Sequence, residues 1–94
     1  MTPSLNGRRF TAVSGGVDVG TSTVFVFTED RLSGVVTATY AGGSVAAGSL
    51  VGVRDGSRVE FRYSHVSTAG MVESGVSVDR ISVLDDGRLR MDET

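Results

Sequence analysis

The chain contains no cysteine, no lysine and no tryptophan, and it has a single proline and a single histidine. Without cysteine, neither a disulfide nor a thiolate metal site can help to stabilise it. That composition fits a reducing compartment. With lysine absent, all nine cations are arginine; they are scattered among the acids, which reads as a trace of GC-rich coding. The formal net charge of −2 argues against a nucleic-acid partner, which would need a concentrated basic surface. No window approaches the roughly 18 apolar residues that span a bilayer. The first ten residues, MTPSLNGRRF, hold no apolar run that could serve as a signal h-region. A cytoplasmic protein with no membrane partner is the expectation. No stretch sustains the i, i+3, i+4, i+7 apolar spacing of an amphipathic helix.

What is present points to strands. Thirteen glycines recur along the chain, and the segments between them are rich in Val, Thr, Phe and Tyr. Those residues suit a pleated, half-buried surface, while glycine supplies the positive φ that tight turns require. The chain of 94 residues fits one domain spanning 1–94, since domains run roughly 50 to 250 residues. Residues 1–7 read as a loose lead closed by Asn6-Gly7.

The clearest strand is 58–66, where Val59, Phe61, Tyr63 and His65 alternate with Arg58, Glu60, Arg62 and Ser64. The other strands expected are 8–14 with Phe10 and Ala12 inward, 23–28 with Phe25 and Phe27 in the core, and 35–41 with Val36, Ala38 and Tyr40 on one face. They continue with 44–54, irregular around Ala46-Ala47-Gly48; 71–78, interrupted by Gly75 and reaching toward Val83; and 88–92 with Leu89 and Met91 inward. Gly42-Gly43 marks a bend or bulge, and Asp55-Gly56 is a hairpin signal. Short strands with turn signals every 8 to 12 residues suggest a sandwich or an up-and-down barrel. Hairpin-length connections favour the meander, so a small all-β antiparallel up-and-down barrel of about seven strands, closed or nearly closed, is the expected fold.

Four segments carry a family resemblance: Asn6-Gly7-Arg8-Arg9-Phe10; Ala38-Thr39-Tyr40-Ala41-Gly42-Gly43; Phe61-Arg62-Tyr63-Ser64-His65-Val66; and Asp86-Gly87-Arg88-Leu89-Arg90. Together they resemble a family of short bacterial proteins of unknown function with an avidin-like, calycin-like meander barrel, whose members often carry the label N-acetylglutamate synthase. The resemblance covers residues 6–93. Thr37 stands where the family pattern has tryptophan, and Ser64 where it has glutamine. A tryptophan-rich segment and one further strand usually follow the point where this chain ends. The resemblance therefore implies a member lacking the final strand, with an exposed β edge that a homodimer would cover.

The family label has little support in the residues. Acetyl transfer from acetyl-CoA needs a cradle for the pyrophosphate, commonly at a glycine-rich turn that opens a helix, and no helix is expected. Biotin capture of the avidin kind encloses its ligand with several tryptophans, and there are none.

The candidate ligand-binding residues are Tyr40, Phe61, Arg62, Tyr63 and His65. Tyr63 and His65 end an otherwise apolar strand face, where phenol and imidazole could hydrogen-bond a small ligand or move protons. The same pair equally fits a histidine satisfied by a carbonyl or an acid near the barrel rim. Tyr40, among small hydroxylated neighbours, fits either a ligand cavity or plain filling of a narrow interior. Gly42-Gly43-Ser44 has neither the helix nor the spacing of a phosphate loop, and Asp85-Asp86-Gly87 lacks the ligand spacing of a calcium loop; both read as turns. The acid pairs Glu29-Asp30 and Asp85-Asp86 fall in expected turns, which suits solvation. No nucleophile and base can be paired, so neither catalytic residues, a metal nor a cofactor is expected. The sequence supports a non-catalytic barrel that binds a small apolar or amphipathic molecule. The alternative is a self-associating module that pairs through its β edge, and the acetyltransferase ranks last.

Overall fold

A computed structural model of the chain describes residues 3–12 and 23–94. Seven strands follow in order: β1 (Arg9–Thr11), β2 (Val24–Glu29), β3 (Val35–Gly42), β4 (Val45–Asp55), β5 (Arg58–Ser67), β6 (Val72–Val83) and β7 (Leu89–Glu93). Each pairs antiparallel with its sequence neighbour in the order β1-β2-β3-β4-β5-β6-β7. Among the described residues β1 and β7 do not pair, so the meander curls into a half-barrel and does not close. No helix of the described residues is long and apolar enough to cross a membrane.

Period-two alternation places the core. On β3, Val36, Ala38 and Tyr40 are buried between exposed Val35, Thr37, Thr39 and Ala41. On β5, Val59, Phe61 and His65 are buried, Tyr63 is half-buried, and Arg58, Glu60, Arg62 and Ser64 are exposed. Phe27, Leu50 and Ile81 complete the concave face, with Phe10, Phe25, Leu89 and Met91 packed half-buried against it. The turn glycines Gly34, Gly56, Gly70 and Gly87 all have φ between 62° and 87°, the left-handed region that an L side chain rarely occupies.

Two irregularities set the register. The β3–β4 ladder shifts between Tyr40 and Gly42, where Gly42 and Gly43 have φ of 111° and 61°. The β4–β5 ladder shifts between Val45 and Ala47, so Ala46 and Ala47 are exposed in succession and Val45 returns to the core. Both places were expected to be irregular. Such bulges add one unpaired residue and swing the strand, restoring inward parity on the far side.

Four expectations need correction or a boundary. Residues 3–7 are not a loose lead. Leu5 is fully buried and its N–H donates to Glu29 Oε1 at 2.7 Å, because the Arg54 guanidinium grips that carboxylate at 2.8 Å and donates to the Pro3 carbonyl. Glu29 is therefore no solvated turn acid: its side chain and that of Arg54 are only 8% and 7% exposed. Gly75 does not interrupt β6, which runs unbroken to Val83, since Tyr63 of β5 lies directly across the glycine and covers its backbone. The first strand is three residues long; the Val13 and Ser14 that were also assigned to it, and the glycines 15, 16 and 20, lie outside the described residues.

Candidate functional site

Antiparallel pairing lines up one row of residues across the concave face. Phe10 faces Phe25, Phe25 faces Tyr40, Tyr40 faces Gly48, Gly48 faces His65, and His65 faces Glu73. With no side chain at Gly48, the Tyr40 ring lies over β4 and reaches β5. Its hydroxyl meets His65 Nδ1 at 2.9 Å. Tyr40 stacks on Phe25 with ring centroids 4.6 Å apart, and its edge meets the imidazole at 5.6 Å. Tyr63 lies nearly parallel to the His65 ring at 6.0 Å, and Phe61 touches Tyr63 edge-on at 6.4 Å.

The remaining imidazole nitrogen, Nε2, is buried and has no hydrogen-bond partner among the described residues. Glu73 Oε2 stands 3.6 Å from it, beyond bonding distance for N–H···O. The His65 side chain is wholly buried and that of Glu73 is 30% exposed. Burial, reinforced by nearby Tyr63, pushes the Tyr40 phenol up to about 12, so the hydroxyl keeps its proton at neutral pH and can serve as a donor.

Of the five residues expected at a ligand site, four gather here: Tyr40, Tyr63 and His65 in mutual contact, with Phe61 beside Tyr63. Arg62 does not. It occupies the opposite parity of β5 and is exposed on the convex face, where Val51 and Val76 are its cross-strand neighbours. Two contributors were missed in the sequence, Gly48 and Glu73. Glu73 had a readable signal: with the hairpin tip at Thr68–Gly70, counting back along both strands sets it opposite His65.

A second polar group lies farther along the same face. Ser77, buried on β6, has its hydroxyl 2.6 Å from Asp79 Oδ1 and 3.1 Å from Glu93 Oε2. Burial raises the Asp79 carboxyl above its ordinary range; the bond from Ser77 opposes this, and the charges of Glu93 and Asp92 add to it. A raised folded-state value means that this group stabilises the fold below its unfolded value and that the contribution is lost as pH rises through the folded one. Asp79→Asn, which cannot ionise, should therefore melt above the parent at pH 7, and the gap should close on acidification to about pH 4. Parallel thermal melts across that range check it; a variant less stable at pH 7 would refute the sign.

Among the described residues no group of three or more His, Asp or Glu side chains is placed to hold a metal. Val83, Leu84, Asp85, Asp86 and Arg88 line a shallow depression beside the last turn, at the end of β6 away from Glu73. The family model described as avidin-like protein matches residues 3–94. No curated protein and no solved structure matches the chain.

Proposed function

We propose that this chain, which belongs to the avidin-like family, is a small non-catalytic binding protein whose concave face takes a small apolar or amphipathic molecule beside Tyr63 and His65. The observation that carries the reading is the state of that patch. A half-buried tyrosine ring lies on a histidine that is buried, bonded on one side and left on the other without a hydrogen-bond partner among the described residues. Apolar walls with a few convergent polar groups are what small-molecule sites offer. The buried Tyr40 supports the site from behind, and Phe61 extends its apolar floor.

A thermal-shift screen of hydrophobic and amphipathic compounds tests it. A ligand present at 100 times its Kd stabilises the folded state by about 2.7 kcal/mol, which in a domain of this size raises Tm on the order of 10 °C. The expected result is a shift of that order for one chemical class, lost in Tyr63→Ala. A screen without any stabilising class would count against the reading.

The second reading is self-association. It is favoured by β1 and β7, which present unpaired backbone edges among the described residues and so invite a further strand. Light scattering on the same sample decides between them. A mass near 9.8 kDa at high micromolar concentration leaves the ligand reading alone, and twice that mass supports a dimer.

A further inference from the structure

The hydrogen bonding of His65 fixes more than the presence of a site; it sets which end of a hydrogen bond a ligand must bring. One contact decides the tautomer and the other accommodates it. Tyr40 is a phenol with one proton, and Nδ1 lies 2.9 Å from its oxygen; if the phenol donates, Nδ1 is the acceptor and the ring proton sits on Nε2. On the other side Nε2 faces Glu73 Oε2 at 3.6 Å. A proton on Nε2 points toward that oxygen, whereas a bare Nε2 would set two lone pairs against each other. The Nδ1–H alternative keeps the contact to Tyr40 but sets a bare Nε2 against the carboxylate oxygen.

His65 therefore presents an N–H donor, its ring packed between the Tyr40 edge and the Tyr63 face, with no acceptor at bonding distance among the described residues. A buried donor left unmatched is costly, so an acceptor that enters recovers part of that cost. An acceptor that reaches Nε2 has to displace Glu73, which is 30% exposed and makes a contact of its own. Its carboxylate lies 3.6 Å from Nε2, so an incoming carboxylate is repelled and a neutral oxygen is not.

We propose that His65 Nε2–H is the polar anchor of the concave-face site and that it selects a neutral carbonyl-type oxygen on a small flat apolar molecule lying along Tyr63. The proposal rests on the ligand role proposed above and adds the chemical class. It assigns distinct parts to three residues: His65 donates to the ligand, Tyr40 holds the tautomer, and Glu73 gates and discriminates by charge.

Two measurements on the full chain test it. The first needs no ligand: long-range proton–nitrogen correlation NMR reads the His65 tautomer directly, and the expected result is a protonated Nε2 with Nδ1 unprotonated and hydrogen-bonded. A protonated Nδ1 overturns the proposal. The second titrates three probes matched in shape: acetophenone, ethylbenzene, which lacks the acceptor, and benzoate, which carries it as an anion. Acetophenone should bind about tenfold tighter than either, the upper range for one net hydrogen bond, and should shift the His65 Nε2 resonance. Tyr40→Phe keeps the ring against Phe25 but removes the donor to Nδ1, and it should erase the preference. Equal affinity for acetophenone and ethylbenzene, or tightest binding of benzoate, overturns the acceptor rule while leaving the site standing. Binding of none of the three overturns the ligand role as well.

Discussion

Gly52→Ala should cost about 3 kcal/mol or more, a large part of the 5–15 kcal/mol that holds a domain folded. A Cβ at Gly52 would run into the Glu60 carbonyl oxygen and lie 2.5 Å from Phe61 Cβ and 2.7 Å from its Cα. Backbone cannot step aside without breaking the β4–β5 ladder. Gly48→Ala should follow at about 2–3 kcal/mol, since its Cβ would meet Tyr40 Cε2 and Cζ at 2.5 Å and His65 Cβ at 2.8 Å. Both are buried, and together they form the bonded pair of the site. Gly75→Ala should cost under about 1 kcal/mol: the atoms in its way are the Tyr63 hydroxyl at 2.5 Å and its Cζ and Cε2 at 2.7 and 2.9 Å, the far end of a half-buried side chain that can swing. Urea unfolding of the three variants checks the order. Gly75→Ala proving as costly as Gly52→Ala would mean that the Tyr63 ring is held over Gly75 and cannot swing.

The second large effect lies at the Arg54–Glu29 pair. Removing one member of a buried ion pair strands the other charge, at a cost of about 3–5 kcal/mol. Arg54→Met should fall in that range, because among the described residues the Glu29 carboxylate is left with the Leu5 N–H and no cation. It also removes the bond to the Pro3 carbonyl, so residues 3–7 should lose their protection from amide exchange. The double variant Glu29→Met/Arg54→Met should be more stable than Arg54→Met alone, since no charge is then left buried. A full double-mutant cycle by denaturant melts measures this. Additive losses would show that the two groups act separately.

These two regions also mark what the sequence reveals and what it hides. Strand positions were legible because period two and turn glycines are local signals: β5 and its inward set Val59, Phe61, Tyr63 and His65 stand in the structure as read. The gathering of Tyr40 with His65 was only half legible. Both residues could be named, but their contact depends on register across a third strand, and that register passes through the two bulges at Gly42 and Ala46-Ala47. A one-residue slip in either would turn a side chain to the other face. Gly48 read as an irregularity, although its role is to leave room for a ring from the next strand.

Glu29 and Arg54 show a different limit. Twenty-five residues separate them, each beside a turn, where charged side chains are usually solvated. Nothing local announces that the leading segment folds back and seals them. Arg62, expected at the site, stands between Phe61 and Tyr63 in sequence. Adjacency along a strand means opposite faces, and that rule alone would have set it apart.

The most direct test of the account is to map a bound ligand by amide chemical shifts, with a stabilising compound from the thermal screen added to labelled protein. The account predicts changes concentrated at Tyr63, Ser64 and His65 on β5 and at Glu73 to Gly75 on β6. Changes confined to the convex face, around exposed Val51, Val53 and Val76, would contradict it.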